Sequence, residues 1–239
     1  MQRLSSNIVR LLTHVAALLP LAVLVWDGLH GDLTVNPIQE ISARTGKTAL
    51  VLLVLSLACT PVNVLFGLRQ ALPLRRPLGL YAFAYATLHL LNFAVVDYGL
   101  NPVLLREAIL EKRYVLVGFA AFLLLLPLAI TSTTAFQRRL GKHWKRLHRL
   151  VYAAALLAVV HFVWLVKADV REPLLYGAIV AGLLALRLPP IRRMLTRLRQ
   201  SWGRDRAPRR ESTASPHVGN GSPAQGQRVD GDLASSRDT

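Results

Sequence analysis

The chain has 239 residues, 53% of them hydrophobic, a mean hydropathy of +0.38 and a formal net charge of +16. It is too apolar for an ordinary soluble domain. Its basic residues stand between and after long apolar runs, so they read as topology signals of a polytopic membrane protein and not as a nucleic-acid surface. The single cysteine, Cys59, lies inside an apolar run, which excludes a disulfide framework and a cysteine-based metal site.

In chain order the apolar runs cover about 8–26, 48–66, 78–96, 115–130, 150–166 and 174–188. The first carries no cleavage pattern and reads as a retained span. Most approach the ~20 residues that a helix needs to cross ~30 Å of hydrocarbon. The last is short, so it borrows flanking residues or lies shallow. Backbone groups in lipid must be hydrogen-bonded within each helix. The expected fold is therefore all-α, a bundle of six transmembrane helices within residues 1–199.

Sixteen Lys and Arg gather on one side, among them Arg10, Arg75, Arg76, Arg138, Arg139, Lys142, Lys145, Arg146 and Arg149, against seven on the other. That bias places both termini in the cytoplasm. Loops 27–47, 97–114 and 167–173 then face outward. Residues 200–239 are rich in Gly, Ser, Pro, Arg and Asp and are expected to be a disordered cytoplasmic tail. No internal repeat is evident. Gly-rich dinucleotide fingerprints, phosphate loops and nucleophile elbows are absent from the sequence.

Of the seven histidines, His30, His143 and His217 fall in loops or the tail and read as solvated side chains. His89 and His161 lie inside apolar runs. Counted from Leu78 and Leu150, each is eleven residues along an outward-running helix, ~16 Å from the inner edge at 1.5 Å per residue. Two histidines at one depth can share one iron from opposite faces of a haem. They can also serve as hydrogen-bonded glue between helices. Ala153, Ala154, Ala155 and Ala158 are expected to leave room beside His161 for the flat macrocycle.

His148 stands thirteen residues before His161, ~20 Å away along a helix and ~140° around it, so the two cannot bind the same iron. A second, inner haem needs a partner near position 75 or 76, where Arg75 and Arg76 stand instead. His14, six residues into the first run, is a poor geometric match. His148 thus reads as a ligand without an identified partner, as a neighbour of a flavin or quinone, or as a loop-edge histidine. Arg75 and Arg76 suit topology and lipid contact, or the oxyanions of haem propionates or a flavin phosphate. Trp144 and Tyr152 suit a flavin ring or an interfacial aromatic belt. Asp27 reads as a solvated boundary residue or a proton relay.

The stretch TSTTAFQRRLGKHWKRLHRLVY at 131–152, the run HFVWLVK from His161, RRPLGLYAFAYATLHLL around His89, and NPIQEISARTGKTAL with Thr60-Pro61 carry a resemblance over roughly residues 8–200. They resemble the haem-binding membrane subunits of bacterial periplasmic methionine-sulfoxide reductase systems, the MsrQ (YedZ) family, within the ferric-reductase-like transmembrane group. The resemblance implies haem b and FMN as cofactors, with His89, His148 and His161 as haem-iron ligands. It implies a bacterial inner-membrane protein taking electrons from quinone or a cytosolic flavin reductase. These pass to a periplasmic molybdopterin-containing catalytic subunit, an MsrP-like heterodimer partner, for repair of oxidised proteins. This chain itself would transfer electrons and catalyse nothing at the sulfoxide. The alternative is a transmembrane ferric or cupric reductase acting directly on a metal ion.

Overall fold

The computed structural model describes residues 2–166, 169–191 and 193–194, and among these every regular element is helical. Helix α1 (Gln2–His30) leads through a short link to α2 (Pro37–Phe66). The start of α2 is set locally: the Asn36 side chain accepts from the Gln39 N–H and proline occupies the first turn, where its missing donor costs nothing. Gly67, at φ +71°, closes it in the left-handed conformation that glycine adopts without strain.

A 3₁₀ turn (Arg69–Leu74) then feeds α3 (Arg75–Leu91), which runs into a π-helical turn (Asn92–Asp97). The short α4 (Pro102–Glu111), capped by Asn101, precedes α5 (Arg113–Ile130). Two short helices, α6 (Thr134–Leu140) and α7 (Lys142–Leu147), form the basic stretch, followed by α8 (Leu150–Leu165) and α9 (Arg171–Ala185).

Five helical segments among the described residues are long and apolar enough to cross a membrane: Asn7–His30, Pro37–Phe66, Arg69–Asp97, Arg113–Ile130 and Lys142–Leu165. The fold is the expected all-α membrane bundle. The sixth run is also helical, but α9 has 15 residues, ~22 Å at 1.5 Å each, less than the hydrocarbon thickness. The stretch 27–47, expected as a loop, is mostly helix, because α1 extends to His30 and α2 begins at Pro37. Lys167 falls outside the described residues, as do His217 and the tail expected to be disordered.

Packing is organised in pairs. Helix α3 lies mainly along α2, and α8 mainly along α5. Helix α2 runs through the middle, with Leu53 and Leu57 buried, and Ala82, Tyr85, Ala154, Ala155 and Val180 close around it. Ala154 and Ala155 are completely covered, and Ala153 is exposed. Ala154 and Ala155 thus serve close helix packing. Outward faces are apolar, as on α1 with Leu11, Leu12 and Val15, the surface a lipid-facing helix presents.

Ion pairs tie α1, α2 and α9 together where α1 ends and α2 begins. Asp27 on α1 and Glu40 on α2 both engage Arg44, and Lys47 meets Glu172 at the start of α9 at 2.5 Å. Asp27 is thus a partner of Arg44 and not a freely solvated carboxylate.

Candidate functional site

His89 projects from α3 and His161 from α8, and the structure brings their rings together. Their centres are 6.1 Å apart and their planes stand at 82°. With metal–nitrogen distances of about 2.0 Å, two imidazoles facing each other across one metal have centres roughly 6.3 Å apart.

Each ring is held in the same way. His89 Nδ1 lies 2.9 Å from the Ser42 carbonyl oxygen, and His161 Nδ1 lies 2.6 Å from that of Tyr114. A carbonyl can only accept, so each Nδ1 carries the proton and each Nε2 keeps its lone pair. That tautomer is the one a metal-binding histidine needs when its second nitrogen is fixed by a partner.

Behind each ring is a glycine. A Cβ on Gly46 would stand 3.1 Å from His89 Nδ1, and one on Gly118 would stand 2.6 Å from His161 Nδ1. Neither position leaves space for a side chain without moving the ring, and the second is closer than atoms approach. Asn92, buried at the start of the π-helical turn, donates to the Ile38 carbonyl and the Ser42 hydroxyl. It steadies the segment of α2 that holds His89.

These features repeat. Each carbonyl stands 47 residues before its histidine. Tyr114, Gly118 and His161 each follow Ser42, Gly46 and His89 by 72 residues. The α2–α3 and α5–α8 pairs are thus two versions of one histidine-holding unit, although no repeat is evident in the sequence. The same offset sets Arg76 opposite His148, which is why His148 has no histidine counterpart.

The structure does not bring His148 to this pair. Its ring stacks on Trp144, with centres 4.0 Å apart, and its Nδ1 lies 3.2 Å from the Trp144 carbonyl oxygen. Trp144 in turn donates from Nε1 to the Thr131 carbonyl. His14 is occupied by the Tyr81 hydroxyl, 3.0 Å away. Arg76 is exposed, while its neighbour Arg75 is half-buried. His143 is exposed, and His30 stacks on Trp26 at the end of α1. Among the described residues no three His, Cys, Asp or Glu side chains converge on a point. The site therefore presents two imidazoles, each with Nδ1 committed to a backbone carbonyl, the side-chain type that can ligate a haem iron.

One charged residue escaped notice as a site candidate. Arg187, just past α9, reaches inward to donate to the Tyr152 hydroxyl at 2.7 Å and to the Leu57 carbonyl at 2.5 Å. Leu57 lies four residues before Pro61, which has no N–H, so that carbonyl lacks its helical partner. The Thr60-Pro61 pair was visible in the sequence, but the cation that answers it comes from 130 residues away. An apolar cavity of about 600 Å³ between α1, α2 and the start of α3 is lined by none of the histidines.

A family model described as the ferric reductase like transmembrane component matches residues 45–159, a span that includes His89, Gly46 and Gly118 and ends two residues before His161. The chain is 47% identical over 196 residues to the protein-methionine-sulfoxide reductase heme-binding subunit MsrQ of Xanthomonas axonopodis pv. citri. That match covers 79% of this chain and 90% of the relative. The chain belongs to the MsrQ family. The MsrQ proteins of Xanthomonas euvesicatoria pv. vesicatoria and Xanthomonas oryzae pv. oryzae are each 46% identical, over 79% and 78% of this chain and 90% and 89% of theirs. No solved structure matches the chain. Membership of the MsrQ family agrees with the multi-pass helical architecture and with the resemblance carried by residues 131–152.

Proposed function

We propose that the chain holds haem b between His89 and His161 and carries electrons across the bacterial inner membrane. The donor is the quinone pool or a cytosolic flavin reductase. The acceptor is a periplasmic molybdopterin-containing, MsrP-like subunit that reduces methionine sulfoxide in oxidised proteins. The observation that carries this reading is the paired histidines, 6.1 Å between ring centres, with both Nδ1 atoms committed to backbone carbonyls.

When bound, haem supplies a one-electron iron couple within the apolar bundle. The protein's part would be to hold two neutral imidazoles for that iron. The carbonyls of Ser42 and Tyr114 hold the Nδ1 protons and raise the donor strength of Nε2. Gly46 and Gly118 let α2 and α5 close against the rings. On the inner side, half-buried Arg75 and the Trp144–His148 stack offer a cation and an aromatic ledge suited to FMN. His148 there lies beside the electron-delivering cofactor or ligates a second iron.

Reconstitution tests the route. Purified chain, reduced by a flavin reductase and NADH, is expected to drive methionine-sulfoxide reduction only when the molybdopterin subunit is added, and to co-purify with that subunit. Equally fast reduction of ferric citrate, with no transfer to the added subunit, would identify a metal-ion reductase instead.

A further inference from the structure

Arg187 is over-provided with charge for the task of closing one helix carbonyl. Its Nη1 serves Tyr152 and its Nη2 serves Leu57, but its Nε is buried and has no hydrogen-bond partner among the described residues. The guanidinium lies 5.0 Å from the centre of the Tyr152 ring. Arg75, half-buried at the start of α3, meets the same turn of α2, where its carbonyl accepts from Ser56 Oγ at 2.8 Å, one residue before the Leu57 that Arg187 contacts. Neither arginine has an acidic partner among the described residues, where the ion pairs belong to Arg44 and Lys47.

Two like charges, partly withdrawn from water and uncompensated, are costly unless an anion joins them. Leu57 is nine residues before the end of α2, ~13 Å inside its inner terminus. The surface of a lipid headgroup layer does not account for cations at that depth. A phosphate monoester carries about −1.5 to −2 charges near neutral pH, which matches two guanidiniums, whereas a phosphodiester carries about −1. The forked donors of arginine fit its oxygens.

We infer that Arg187 and Arg75, with the Tyr152 hydroxyl between α8 and α9, form a binding site for a phosphomonoester reached from the inner face. The inference rests on the flavin reading above, with the FMN phosphate as the occupant. It makes Arg187, and not Arg76, the second arginine of the site. The aromatic ledge of Trp144 and His148 lies one to two turns away along the chain, within reach of the ring system of the same ligand.

The test uses the full chain in detergent, with Arg187→Gln, Arg187→Lys and Arg75→Gln variants, titrated with FMN, riboflavin and inorganic phosphate. An unchanged Soret spectrum certifies each variant as folded. The wild type is expected to bind FMN at least tenfold more tightly than riboflavin. Arg187→Gln is expected to erase that preference while leaving riboflavin affinity unchanged, and Arg187→Lys to restore part of it.

Equal affinity for FMN and riboflavin in the wild type overturns the site, as does an Arg187→Gln variant that keeps the preference. If no flavin binds but inorganic phosphate raises the melting temperature in an Arg187-dependent way, the phosphate site stands and the flavin reading fails. Stabilisation by phosphatidylglycerol nanodiscs alone, with no response to FMN or phosphate, overturns the inference in favour of a lipid contact.

Discussion

At the residue scale, the two histidines are defined as much by what stands behind them as by what they face. Glycine within a helix costs roughly 0.5–1 kcal/mol relative to alanine, yet Gly46 and Gly118 occupy helix interiors. The contact distances explain why. Gly118→Ala would set a Cβ 2.6 Å from His161 Nδ1, so the ring must move and its bond to Tyr114 must break. Losing a second-shell partner typically lowers metal affinity 10–100-fold. We therefore expect Gly118→Ala to lower haem retention at least tenfold, measured as the haem-to-protein ratio after purification, without lowering the stability of the apoprotein. Gly46→Ala, with its contact at 3.1 Å, should have a smaller effect. A Gly118→Ala chain retaining full haem would show that the ring adapts. His89 and His161 were legible in the sequence because depth along a helix follows from counting residues. The glycines were not, since nothing in a sequence shows which ring they admit.

At the element scale, hydropathy found the helices but cut α2 short. The run 48–66 omits the first eleven residues of a helix that begins at Pro37. Glu40, Arg44 and Lys47 lower the hydropathy there, and in the fold they are ion-paired with one another and with Asp27 and Glu172. Ser42 and Gly46, two elements of the candidate site, lie in that omitted stretch. The two-unit repeat was hidden for a related reason. It preserves glycine and histidine positions and a backbone carbonyl, while the surrounding side chains differ. Asn92 provides a test of how the first unit is braced. It donates to Ile38 and Ser42 across the α2–α3 pair. Asn92→Leu is expected to destabilise the chain by about 1 kcal/mol, the net value of a hydrogen bond, seen as a lower melting temperature. Haem content should fall less than in Gly118→Ala. An unchanged melting temperature would mean that the brace contributes nothing.

At the scale of the whole molecule, the charge asymmetry is expected to orient the bundle, and the helix pairs build the site at its centre. The histidine pair lies outward of the Arg75, Tyr152 and Arg187 cluster along α3 and α8. Under the proposed function that arrangement would be a relay of two stations, the cation cluster toward the basic side and the histidine pair at mid-bundle. It requires the basic side to be cytoplasmic. A green fluorescent protein fused after Arg187 is expected to fluoresce, and alkaline phosphatase fused at the same point to stay inactive; the reverse pattern would invert the proposed direction of electron flow. The central claim is that His89 and His161 share one iron. The most direct measurement is the visible spectrum of the purified chain with pyridine-haemochrome quantification, repeated for His89→Ala, His161→Ala and His148→Ala. The account predicts a low-spin haem b spectrum that loses most of its Soret absorbance in each of the first two variants, while the haem between them survives in the third. A Soret band that persists undiminished in both His89→Ala and His161→Ala would contradict it.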